Sequence, residues 1–233
     1  PQLAASATLR PRLQNIAVGL TIFAIGLFKK VIIADNLALS ATPVFTAALY
    51  GGLAVHLALA LWALYRRRTW RDMRGAEALQ LVFGFTVPPL LAGHVLATRG
   101  LHEVYGLNDS YAFVVNSIWI VTPYYGAQQA LITLLAWTHG CIGLHHWLRL
   151  KPWYRPALPF AFGAAVLLPA LALLGFAAAG REVGRLMADP AWAAAFRASL
   201  NVADLRPAAS WAYGVRDSGQ LAMAALLALV LLA

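Results

Sequence analysis

Cysteine, acidic side chains and charge of either sign are scarce in this sequence. Its 233 residues include one cysteine, Cys141, and nine acidic residues against eighteen lysines and arginines, and charged residues make up only 12%. One cysteine excludes an internal disulfide and a thiolate metal cluster within the chain. There is no glycine-rich phosphate loop, no pair of carboxylates inside an apolar run, and no serine set beside a histidine and an acid as in a triad. Asp72, Glu77, Glu103, Asp109 and Glu182 read as solvated residues of loops and segment boundaries.

Apolar residues take the place of charge. They make up 61% of the chain, and the mean hydropathy is +0.68, more than a single water-soluble core of this size can hide. A helix crosses the hydrocarbon layer with roughly 20 apolar residues, so the sequence predicts an all-α, polytopic transmembrane bundle of about five to six spans. The net charge of +9 comes from short basic clusters beside apolar runs, which points to membrane topology and not to nucleic acid. The sequence opens on Pro1 and stops at Ala233 inside an apolar run, and so reads as a piece of something longer.

The expected spans follow from the runs. Ile16 to Leu39 is broken by Lys29, Lys30 and Asp35, which reads as a tilted, kinked or interfacial segment. Leu49 to Tyr65 ends at Arg66, Arg67, Arg68, Arg71 and Arg74, a loop that the positive-inside rule assigns to the cytoplasm. The next span runs from about Ala78 to Thr98 with a kink at Pro88 and Pro89. Arg99 to Ser110 reads as an external loop, and Tyr111 to Tyr125 as an interfacial loop or short helix. Gly126 to Leu148 is a span that delivers Arg149, Lys151 and Arg155 to the cytoplasm, and Leu158 to Ala179 returns outward. Gly180 to Arg216 reads as a loop, and the run from Leu221 places the C-terminus in the cytoplasm.

Histidines are the most informative polar residues. His56, His94, His139 and His145, with its neighbour His146, lie in or near these spans, and His102 lies in the external loop. An ionisable residue inside a membrane is a functional candidate by default. Neutral imidazoles from facing helices are also how bundles hold haem b, and Gly93, Gly140 and Gly143 would let a flat macrocycle approach the backbone. His56, His94, His139 and His145 are therefore the candidate ligands of a haem iron. At a rise of about 1.5 Å per residue, His56 and His94 fall in the outer half, His139 near mid-depth, and His145 roughly 9 Å closer to the cytoplasm. Two tiers of ligands result, and His139 and His145, on one helix, cannot face each other across one iron. The group of Arg99, His102, Glu103 and Asp109 is a candidate border for a quinone site.

Two resemblances cover different parts of the chain. LYGGLAVHLALALWALYRRR (Leu49 to Arg68), EALQLVFGFTVPPLLAGHVLATRGLHEVYGLNDSYAF (Glu77 to Phe113), AWTHGCIGLHHWLRLKPWYRP (Ala136 to Pro156) and LPALALLGFAAAGREV (Leu168 to Val183) resemble the membrane anchor of bacterial adenylate/guanylate cyclases, a module like the cytochrome b subunit of succinate dehydrogenase. This resemblance spans about Phe45 to the end and implies a haem b redox sensor in the bacterial cell membrane, signalling to a cytoplasmic cyclase domain, with a homodimer as an admitted assembly. RPRLQNIAVGLTIFAIGLFKKVIIADNLALSATPVF (Arg10 to Phe45) resembles the membrane-bound O-acyltransferases of alginate-like polysaccharides, whose active-site histidine belongs to a motif that this chain does not contain. The expected division is an acyltransferase-like segment over residues 1–48 and a cyclase-type anchor over 49–233. Two competing readings accompany it: an acyltransferase fragment, and a purely structural anchor whose histidines hydrogen-bond between helices.

Overall fold

The computed structural model describes residues 43–67, 73–202 and 204–232. The expected segment Ile16–Leu39 and the acyltransferase-like stretch up to residue 42 lie outside them. Among the described residues every regular element is helical, as the apolar runs and the scarcity of strand-type alternation require. The chain divides after Ala60 into two compact units. Helix α1 (Pro43–Tyr65) occupies the described part of the first unit and continues into the second, running unbroken through residues 48 and 49. Its sequence is apolar on all faces, as a lipid-embedded helix demands.

The second unit is built from α2 (Gly75–Val95), α3 (Leu101–Tyr105), α4 (Tyr111–Val115), α5 (Pro123–Leu148), α6 (Tyr154–Met187), α7 (Pro190–Ala198) and α8 (Arg206–Leu232). Two π-helical turns interrupt it: Leu96–Gly100 joins α2 to α3, and Asn116–Val121 follows α4. Thr46–Tyr65, Gly75–Tyr105, Tyr154–Met187 and Arg206–Leu232 are each long and apolar enough to cross a membrane. The protein is thus a multi-pass helical membrane protein. At 26 residues α5 has a length of about 39 Å, enough to span, but Gln128, Gln129, Thr133, His139 and His145 make it less apolar. Its neighbours account for this, since α5 packs against α2 on one side and α6 on the other.

Cross-helix contacts set the directions. Leu90 of α2 meets Gln128 of α5, and Gln80 meets His139, so position rises along α2 as it falls along α5. The two are antiparallel. Gln220 and Arg216 of α8 meet Pro89 and Gly93 in the same descending register, and Trp137 of α5 donates to Ala165 of α6 at 2.7 Å. Arg74, Arg149 and the C-terminal end of α8 therefore lie at one end of this unit. The other end carries a small core of Leu101, Leu107, Phe113, Phe196, Leu200 and Ala208. Gly106, at φ +66°, ends α3 in the left-handed conformation that glycine adopts without strain.

Two expectations are corrected and a third, left with two forms, is resolved. The supposed loop from Gly180 to Arg216 is mostly helix: α6 continues to Met187, α7 is capped by Asp189 accepting from Ala191 N–H at 2.9 Å, and α8 begins at Arg206. Arginine and glutamate are good helix formers, so charges at 181, 182 and 185 carry a helix beyond the apolar run without ending it. The external loop from Arg99 is helical as far as Tyr105. Of the two forms expected for Tyr111 to Tyr125, the short helix is the one adopted up to Val121, and Pro123 then opens α5 at the first-turn position that proline favours.

Candidate ligand cavity

Between α2, α4 with its π turn, α5 and α8 lies a cavity of about 260 Å³. Both π turns line it, through Ala97 and Thr98 on one and Ser117, Ile118 and Val121 on the other. Such turns concentrate at functional sites because the extra residue redirects side chains that a regular helix would hold in register. Most of the remaining wall is apolar, with Leu101, Phe113, Leu205 and Ala212 among its residues.

Polar groups converge on the cavity from three helices. His94 comes from α2, Tyr125 and Gln128 from α5, and Tyr213 and Arg216 from α8. Arg216 Nη1 donates to the Tyr125 hydroxyl at 3.2 Å, while its guanidinium carbon lies 4.9 Å from the Tyr213 ring centre. Nε also donates to Asp217 Oδ1 at 2.8 Å, and Nη2 lies 2.7 Å from the same oxygen. Gln128 Nε2 donates to the Leu90 carbonyl at 3.3 Å and Gln220 Nε2 to the Pro89 carbonyl at 2.8 Å. These bonds tie α2, α5 and α8 at one level, the polar adhesive expected where lipid gives no hydrophobic force between helices. Thr98 turns its hydroxyl back to the His94 carbonyl at 2.8 Å.

The candidate histidines separate. Only His94 lines the cavity. His139 Nδ1 is 3.0 Å from the Gln80 carbonyl, and its ring fills the space left by Gly84, where a Cβ would come 2.7 Å from Cε1. Gly84 and His94 are ten residues apart on α2, about 15 Å along its axis, so His94 and His139 stand at different levels. His145 Nδ1 pairs with the Tyr154 hydroxyl at 3.0 Å, and its ring lies beside that of His146. His56 is on α1, most of which belongs to the other unit. Among the described residues no three histidines, cysteines, aspartates or glutamates gather as a metal site. For haem b the cavity itself offers one imidazole where bis-histidine ligation needs two, and its volume lies below the roughly 300–1,000 Å³ usual for larger ligands. The cavity as it stands does not fit a bis-histidine haem.

The group suggested as a quinone border resolves into two local pairs at the Tyr105 end. Arg99 and Glu103 form an i,i+4 ion pair at 2.5 Å, and His102 Nδ1 lies 3.0 Å from the Leu107 carbonyl and 3.2 Å from Asp109 Oδ1. None of the four lines the cavity. Arg216 is the functional candidate that sequence reasoning passed over. Its signal was the alternation of polar and apolar residues from Arg206 to Gln220 on a helical period, hidden by reading the residues up to Arg216 as a loop.

No protein-family model, curated protein or solved structure matches this chain.

Proposed function

We propose that this chain is the transmembrane anchor of a bacterial nucleotide cyclase, sited in the cell membrane with its C-terminus in the cytoplasm, and that its sensory element is the cavity at His94. The observation that carries the reading is that one candidate imidazole, and only one, lines the cavity of about 260 Å³ within the helices. A ligand there would act on α2, α5 and α8 together, because Gln128, Gln220 and Arg216 tie the three at that level. A signal then amounts to a difference in ligand affinity between two arrangements of these helices. The resemblance of Leu49–Arg68, Glu77–Phe113 and Ala136–Pro156 to cyclase anchors supplies the catalytic partner.

A second reading is favoured by specific contacts. His139 and His145 hydrogen-bond to Gln80 and Tyr154, as expected of a structural anchor. The experiment is to compare cyclic nucleotide output of the complete gene product with that of its His94→Ala and His139→Ala variants, at equal membrane levels, under oxidising and reducing conditions. A response lost with His94→Ala and kept with His139→Ala supports the sensory cavity. An unchanged response in both supports the structural anchor. A low-spin haem spectrum in the purified chain, lost with His94→Ala, would make the sensed signal redox state; without that spectrum after incubation with excess haem, the redox role falls.

A further inference from the structure

We infer that the cavity binds a single-chain lipid with an uncharged carbonyl head, and that Asp217 sets this preference by neutralising Arg216. The inference rests on the proposed role of the cavity and adds the class of its ligand. A Cβ at Gly93 would lie 3.6 Å from Arg216 Cδ, which puts Arg216 at the level of Gly93 on α2, and both Arg216 and His94 line the cavity. From Leu90 to Leu101 the α2 backbone rises about 16 Å, and at the Leu101 end the walls are Leu101, Phe113, Leu205 and Ala209. Between the two ends stand the hydroxyls of Thr98, Ser117 and Thr122, that of Thr98 turned back to the His94 carbonyl, so the space is a largely apolar slot with its one charged side chain at one end. An apolar chain fits the slot, whereas a sugar or a nucleotide would leave most of its hydroxyls without partners there.

Charge then decides the head. An unpaired arginine at the polar end would draw a carboxylate or a phosphate. Arg216 is not unpaired: Nε and Nη2 both face Asp217 Oδ1, and the pair sums to zero. Asp217 is not among the residues lining the cavity, so its part is to cancel the guanidinium charge: an anionic head would meet no net positive charge there to offset the cost of leaving water. An uncharged ester or ketone oxygen can accept from the Tyr125 or Tyr213 hydroxyl, or from a guanidinium N–H, and adds no charge. This is selection by exclusion as much as by attraction.

Photoreactive methyl laurate and photoreactive lauric acid, each carrying the reactive group at the chain end, test this on the full chain in lipid nanodiscs, with labelled residues read by mass spectrometry. The ester is expected to label residues near Leu101, Ile118 and Ala209, and the acid to label them about tenfold less, a difference of roughly one ion-pair interaction. Asp217→Asn should raise acid labelling about tenfold, and Ala209→Phe should abolish labelling by both. If Asp217→Asn does not fold, the preference of the unaltered chain and the Ala209→Phe variant still decide. Equal labelling by acid and ester, or ester labelling that Ala209→Phe leaves unchanged, overturns the inference. Cyclase output does not enter this readout, so loss of the ligand site and loss of the sensory role are told apart.

Discussion

Arg216 of α8 reaches Tyr125 of α5 across 91 positions of sequence, donating to its phenolic oxygen at 3.2 Å. Tyr125→Phe removes that acceptor and leaves the ring. Interhelical hydrogen bonds in membranes contribute on average about 0.6 kcal/mol and at most about 1.7, so a small loss within that range is expected in reversible unfolding from mixed micelles. Arg216→Leu should cost more, because it strands the Asp217 carboxylate on a helix that crosses the membrane. Equal stability of Arg216→Leu and the unaltered chain would show that the pair is solvated and plays no part in packing.

Helix existence was legible in the sequence, and helix ends were not. Apolar runs around Ala54, Phe85, Leu135 and Val166 dictate helices because lipid allows no unpaired backbone. Arg206 and Arg216 read as loop residues because a hydropathy window averages over them, while the fold spends them one at a time, Arg206 on Asp204 and Arg216 on Tyr125 and Asp217. His94 was legible as an ionisable residue in an apolar run. That His139 faces Gln80 and not His94 was illegible, since it depends on the register of α2 against α5.

Two glycines hold helices close to aromatic or backbone neighbours. A Cβ at Gly180 would enter the Trp119 ring, and one at Gly126 would meet the Ile118 carbonyl oxygen. Overpacking of this kind costs about 1–3 kcal/mol. Gly180→Ala and Gly126→Ala should each lower the thermal midpoint in detergent. Gly163→Ala, where no atom lies within 4 Å, should not lower it, and alanine's higher helix propensity should raise it slightly. Equal behaviour of the three variants would remove the close-packing argument.

Asp204 lies just before α8, and its carboxylate accepts from Arg206 Nε at 3.0 Å and from Arg206 N–H at 2.9 Å. The Arg206 side chain, then its backbone N–H, holds the Asp204 carboxyl below its ordinary value of 3.8. Because the folded value is the lower one, this contact favours the folded state above the unfolded pKa, and the contribution disappears as pH falls through the folded pKa. Both side chains are solvent-exposed, so the readout is the titration itself. A carbon-detected NMR titration of Asp204 should show a midpoint below 3.8 that moves up in Arg206→Gln. A midpoint unmoved by that substitution would show that the pair does not persist in solution.

Gly84 and His139 form a coupled pair, which separates a packing role for the imidazole from a ligand role. In the unaltered chain Gly84→Ala sets a methyl group 2.7 Å from His139 Cε1. The ring must then move, and its 3.0 Å bond to the Gln80 carbonyl stretches or breaks. The expected cost is about 1–3 kcal/mol. His139→Ala removes the same bond and opens a gap beside Gly84, so it too should destabilise, by roughly 1–2 kcal/mol. In the His139→Ala background the added methyl meets no ring, and alanine is the better helix former by about 0.8–1 kcal/mol. Gly84→Ala should therefore be neutral or stabilising there. The double-mutant cycle should return a coupling of at least about 1 kcal/mol, well above the 0.3–0.5 kcal/mol scatter of independent sites. Additive losses would mean that the His139 ring does not rest on Gly84 and is left to face a ligand or another helix.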